Sequence, residues 1–129
     1  IEINIKIEMK KKPIPESSQV CTKRFLAIRD TMELLSGKWK IQIIGSLMQK
    51  GKMRFMDLLR EVDGIAAKML SKELQELELN ELVTRTVCNT KPITVEYEIT
   101  HYGKTLEKVI DEMAQWGYLH RKRLFKKSK

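Results

Sequence analysis

Between residues 64 and 87 the chain reads GIAAKMLSKELQELELNELVTRTV, in which Ile65, Leu70, Leu74 and Leu77 recur at helical spacing. Lys68, Ser71, Lys72 and Gln75 fall between them on another face, so the pattern predicts an amphipathic helix over 66–79. Asn80 is suited to the left-handed conformation that ends many helices. Upstream, Phe25, Ile28, Met32 and Leu35 recur at three- and four-residue steps from Cys21 until Gly37 stops them. A second helix is expected over 38–49, with Trp39, Ile43, Ile44 and Leu47 inward and Gly51 closing it. Phe55 reads as a short extended or turn residue, followed by a short helix over 57–62 and a turn at Asp63-Gly64.

Downstream the period changes. Residues 83–89 and 94–100 are rich in Val, Thr and Ile and flank Thr90-Lys91-Pro92, which predicts a hairpin with a longish tip. Thr100 is placed to cap a final helix carrying Leu106, Val109, Ile110, Met113, Trp116, Leu119 and Leu124. That stripe runs past what a small domain needs for its own core and predicts a partner helix. The end, HRKRLFKKSK, is expected to fray into a basic tail. At the other terminus, IEINIKIE alternates Ile with polar residues and predicts a strand, and MKKKPIPESS reads as a linker. The expected organisation is a strand and linker over 1–20 and a compact domain over 21–129. Helix, turn, helix and hairpin in this order make a mostly α (α+β) winged helix-turn-helix.

At 129 residues the chain is about one domain long, enough for a core without metal or disulfide staples. Lys and Arg outnumber Asp and Glu by 25 to 17, a net charge of +8 that points to an anionic partner, nucleic acid or membrane. No apolar run approaches the ~20 residues of a bilayer span, and no secretory-signal pattern opens the chain; the expected location is cytoplasmic. Cys21 and Cys88 sit in no CxxC and near no His at ligand spacing, so reduced thiols are expected and no metal. His101 and His120 have no ligand set around them, and Trp39 and Trp116 fall on apolar stripes. No phosphate loop, nucleophile elbow or HExxH helix is present, and Glu73, Glu76 and Glu78 follow helix-surface spacing. An enzyme is not expected, nor is a cofactor.

A helix held by Leu70, Leu74 and Leu77 can present its other face to a DNA major groove. Ala67, Lys68, Ser71, Lys72 and Gln75 are the candidates there: small residues for close approach, Lys and Ser for phosphate or guanine, Gln for adenine. An ordinary solvated face remains the alternative from this helix alone. A hairpin bearing Arg85 and Lys91 can straddle the phosphate backbone, and Arg54 can add a phosphate contact.

GKWKIQIIGSL, MRFMDLL, GIAAKMLSKELQELELNELV and VEYEITHYGKTL occur in this order between residues 37 and 106. Together they resemble the successive blocks of HxlR-type winged helix-turn-helix transcriptional regulators, relatives of the MarR group, and the likeness covers about 21–116. It implies a homodimer on a partly palindromic operator of double-stranded DNA, with the helix over 66–79 as recognition helix and the hairpin as wing. It implies a dimer interface built by the first and last helices, hence Phe25, Leu106, Val109, Ile110, Met113, Trp116 and Leu119. Cys21 stands at the position of the family's N-terminal cysteine, through which some members answer oxidants or electrophiles. A helix N-terminus and nearby Lys23 and Arg24 would favour its thiolate; an inert thiol is the alternative. Four departures stand out: Ala66 where the family has a Ser or Thr cap, Glu81 where it has Gly, so that Asn80 is expected to take the turn, Thr22 where it has Pro, and the Ile-alternating N-terminal strand, which is not part of the pattern. The rival readings are a winged-helix protein-interaction module without an operator and, more weakly, a thiol redox protein.

Overall fold

The computed structural model describes residues 16–127, and side chains over 21–126. The strand expected at residues 1–7 lies outside the described residues. The elements are α1 (Glu16–Leu35), α2 (Lys40–Lys50), β1 (Met53–Arg54), α3 (Phe55–Glu61), α4 (Ala67–Leu79), β2 (Val83–Cys88), β3 (Thr94–Ile99), a 3-10 turn (Gly103–Leu106) and α5 (Glu107–Lys127). The strands form one antiparallel sheet in the order β1-β3-β2, with Arg85 opposite Tyr97 and Met53 also opposite Tyr97 from the other side.

One core holds this together. Ile43, Ile44 and Leu47 of α2, Leu58 of α3, and Leu70, Leu74 and Leu77 of α4 are buried against Val83, Tyr97 and Ile99 of the sheet. The α2 and α4 residues among them are the positions the helical period puts inside, because a helix in water buries its one apolar face; Leu58 and the sheet residues join them through packing. Gly37 and Gly51 take positive φ at the ends of α1 and α2, as expected of chain reversals that a side chain would strain.

Four local expectations need correction. The first helix begins at Glu16, so the end of the expected linker is helical. Phe55 opens α3 instead of being extended; the extended pair is Met53 and Arg54, paired to β3. The last helix runs on to Lys127 and does not fray at His120. The left-handed residue after α4 is Glu81 (φ 62°), while Asn80 stays at φ −88°.

That last difference has a geometric cause. The Leu82 N–H donates to the Leu77 carbonyl (3.0 Å) and the Glu81 N–H to the Glu78 carbonyl (2.9 Å), the paired bonds of a Schellman cap, which put the residue before Leu82 in the left-handed region. Leu77 and Leu82 are both in the core, so burial of Leu82 fixes the turn at Glu81. Asn80 contributes differently, its side-chain amide donating to the Glu76 carbonyl at 2.9 Å.

Thr100 links α4 to the last helix. Its hydroxyl donates to the Glu81 carbonyl (2.7 Å) and accepts from the Gly103 N–H (2.8 Å). It is not the N-cap of the last helix, as the sequence led one to expect: that helix starts at Glu107, and the 3-10 turn ahead of it has Tyr102 at its N-cap, so Thr100 instead braces the turn's first N–H. Only glycine fits at 103, where a Cβ would lie 2.3 Å from the Leu82 carbonyl oxygen.

Candidate nucleic-acid interface

Helix α4 is set by its buried leucines and by one charged anchor. Lys40 of α2 lies with its side chain only 9% exposed, 2.6 Å from a Glu73 carboxylate oxygen and hydrogen-bonded to Glu76 as well. Glu73 and Glu76 read as surface carboxylates in sequence; Glu73 is in fact 12% exposed and both are committed to Lys40. Burial alone would lower the Lys40 pKa, but the hydrogen bonds and charges of the two glutamates outweigh it and hold the ammonium above its ordinary value. The anchor resists rotation of α4 about its axis, which decides which side chains face outward.

The candidates Ala67, Lys68, Ser71, Lys72 and Gln75 are all exposed, as are Met69, Glu78 and Leu79 of the same helix. Ala66 precedes the helix in extended conformation and makes no side-chain cap, so α4 starts at Ala67 with its first N–H groups open. Between α4, α3 and the hairpin lies a groove of about 720 Å³. Arg54, Ser71, Gln75 and Arg85 all line it, so four candidates from three separate stretches of sequence converge on one concavity. Lys68 and Lys72 are exposed on α4 without lining the groove, as is Ala67, and Lys91 is exposed on the loop joining β2 to β3.

Besides Glu78, which also lines the groove, two charged groups bear on it that the sequence did not single out. Arg60 lines it, and Asp57 joins Arg54 (Nε to Oδ2, 3.0 Å) to Arg60, which bonds the other carboxylate oxygen. The Arg54 hydrogen bond, followed by the charges of both guanidiniums, holds the Asp57 carboxyl below its ordinary range. Residues 54, 57 and 60 are spaced i, i+3, i+6, the one signal in the sequence that pointed to this cluster. The other face of the hairpin is acidic, with Glu96 and Glu98 about 4 Å from Lys52.

The remaining candidates are distributed over the helical arms. Leu106 is buried in the core and Ile110 half-buried against it, so both are taken up by the chain itself. Phe25, Val109 and Met113 line an apolar groove of about 910 Å³ between α1 and α5, together with Ile28 and Met32. Trp116 and Leu119 are exposed, and the Trp116 ring stacks on His120 with centroids 4.8 Å apart. Cys21 is exposed, but it is the sixth residue of α1, beyond the first turn in which a helix dipole acts, so that part of the argument for its thiolate does not hold. Cys88 is half-buried in β2. Among the described residues no three His, Cys, Asp or Glu side chains gather as a metal site, and no helix is long and apolar enough to cross a membrane.

Residues 34–124 match the model of the HxlR-like helix-turn-helix family. The chain is 38% identical over 100 residues to the uncharacterized HTH-type transcriptional regulator YtcD of Bacillus subtilis (strain 168), covering 78% of this chain and 79% of that one. The reduced form of the B. subtilis transcriptional regulator YodB superposes with a TM-score of 0.64 at 37% identity, over 70% of this chain and 87% of that one. The reduced form of the redox regulator HypR gives 0.69 at 35% identity, over 76% and 96% of the two chains.

Proposed function

The chain belongs to the HxlR-like helix-turn-helix family of DNA-binding transcription regulators, and from that premise we propose that it acts as a homodimer on a partly palindromic operator. Helix α4 enters the major groove, Ser71 and Gln75 reading base edges and Lys68 and Lys72 meeting flanking phosphates, while Ala67 permits close approach. The hairpin is the wing, with Arg85 and Lys91 on the sugar-phosphate backbone and Arg54 adding to it. The observation that carries this reading is the convergence of Arg54, Ser71, Gln75 and Arg85 on one groove beside the outward lysines of α4.

Two copies related by a two-fold axis would set their recognition helices about one helical turn of DNA apart, ~34 Å, or a multiple of it. The exposed apolar residues of α1 and α5, chiefly Phe25, Val109, Met113, Trp116 and Leu119, supply the surface for that pairing. The regulator works where the chromosome lies, in the cytoplasm. Similarity to the redox regulator HypR supports a thiol response through Cys21, whose exposure leaves it open to an oxidant or electrophile. A Cys21→Ser variant that loses peroxide- or quinone-induced change in DNA binding supports that role; one that responds like the parent removes it.

Duplex DNA binding measured against salt tests the central reading. A log–log slope of several units is expected, since each neutralised phosphate contributes about 0.9. Lys68→Ala, Lys72→Ala and Arg85→Ala should each weaken binding and shave about one unit from the slope. Binding that is independent of salt, or unchanged in all three variants, would leave an interaction module for proteins as the better account.

A further inference from the structure

We infer that Arg60 is a DNA-contacting residue and that Asp57 is a positioning residue which holds Arg54 and Arg60 together as a two-guanidinium clamp for the duplex sugar-phosphate backbone. The inference rests on the duplex reading above and assigns roles to two side chains which that reading leaves idle.

Asp57 accepts from Arg54 with one carboxylate oxygen and from Arg60 with the other, so a single side chain fixes both. Both arginines line the groove that Ser71 and Gln75 of α4 and Arg85 of the hairpin also line. The cluster is therefore at the edge of the reading surface, on β1 and the helix α3 that precedes the recognition helix.

Its exposure argues against a purely structural purpose. Arg54 and Arg60 are 57% and 68% exposed, and ion pairs that open to water add little to folding. What the pairing does supply is order: a free arginine samples many rotamers, and one held by a carboxylate loses less freedom on meeting a phosphate. Each guanidinium carries five N–H donors, of which Asp57 occupies a minority, so the rest remain open to phosphate oxygens. The cluster keeps a net charge of +1, from two cations against one anion, and Arg85 across the groove adds another. No carboxylate of α4 except Glu78 lines that concavity.

The alternative is that Asp57 simply dilutes the positive charge. The two accounts predict opposite signs for its removal, and random duplex DNA titrated at several salt concentrations separates them. Arg60→Ala should weaken binding about fivefold and reduce the salt slope by about one unit, while Arg60→Lys keeps the slope and recovers part of the affinity. Asp57→Asn should weaken binding about two- to threefold although it removes a negative charge, because the clamp loses its post. Circular dichroism of each variant checks that the fold is intact. Tighter binding by Asp57→Asn, or an Arg60→Ala slope equal to the parent's, overturns the inference while leaving the parent's duplex binding as evidence for the wider reading. A parent that does not bind duplex at low salt sinks both.

Discussion

The winged half of the molecule, from α2 to β3, closes its core within one chain, with Leu35 at the end of α1 joining it, whereas the rest of α1 and the outer part of α5 do not. In the first, Ile43, Ile44, Leu47, Leu58, Leu70 and Leu77 are all 0% exposed. In the second, Phe25, Met32, Trp116 and Leu119 are each more than half exposed, although they follow the same helical period. Identical patterning thus has two outcomes: where three helices and a sheet meet, an apolar stripe becomes core, and where a helix projects beyond them the stripe stays bare. A bare stripe of this length calls for a second surface, and the proposed homodimer supplies one. The reading half is then a finished unit, and the arms decide how two such units are spaced.

The sharpest test of that contrast sets equal truncations against each other. Leu74→Ala removes a side chain buried in the core and should cost about 2–5 kcal/mol in chemical denaturation, independently of protein concentration. Leu119→Ala should cost under about 1 kcal/mol in dilute protein, since its side chain is already largely in water. At high concentration its effect should grow, because a dimer is stabilised by mass action and the variant forfeits part of that gain. Equal costs for the two variants at every concentration would abolish the distinction between core and arm.

Next in size is the anchor of α4. Lys40→Met leaves Glu73 without its cation in a poorly solvated place and should cost about 1–3 kcal/mol, less than a fully enclosed pair because Glu76 is 41% exposed. Replacing Lys40 and Glu73 together by Met should recover much of the loss, as apolar replacements of whole ion pairs often do. The pH dependence has a definite sign. With its folded-state pKa raised above 10.5, Lys40 binds a proton more tightly in the folded chain, so its contribution is complete below about pH 10.5 and falls away as pH climbs through the raised value. Denaturation between pH 9 and 12 should show that alkaline decline in the parent and a flatter profile in Lys40→Met. A parallel decline in both would assign it to other groups.

How much of this was legible beforehand depends on which interactions are local. The bounds of α4 and the hairpin follow from period and turn chemistry, and the observed strands fall within a residue of those expected. Lys40 was not legible: a lysine between Trp39 and Ile41 reads as solvated, and only the approach of α4 across 36 residues of sequence places Glu76 beside it. The groove has the same origin, since Arg54, Ser71 and Arg85 converge through sheet pairing and helix packing. Leu106 and Trp116 share one stripe in sequence, yet one is core and the other exposed, because the period says which face is apolar and not how far along the helix its neighbours extend. The left-handed residue went to Glu81 over Asn80 for a related reason, burial of Leu82 outweighing a local preference.

The smallest predicted effect lies at the two ends of α4, where the local sequence is poorer than the fold asks for. Ala66 sits in the extended conformation of an N-cap without an oxygen to offer the first-turn N–H groups, so Ala66→Ser should stabilise the chain by about 1 kcal/mol. Glu81 holds φ at 62°, where a Cβ is strained, and Glu81→Gly should gain about 0.5 kcal/mol, relief of strain being offset in part by the looser unfolded chain. The sites lie at opposite ends of a helix about 20 Å long, so their effects should add in the double variant. Thermal unfolding of the four proteins measures this directly. A gain at Glu81→Gly with none at Ala66→Ser would mean that the first turn of α4 already finds its acceptors in water, and the reading half would then be complete at that end as well.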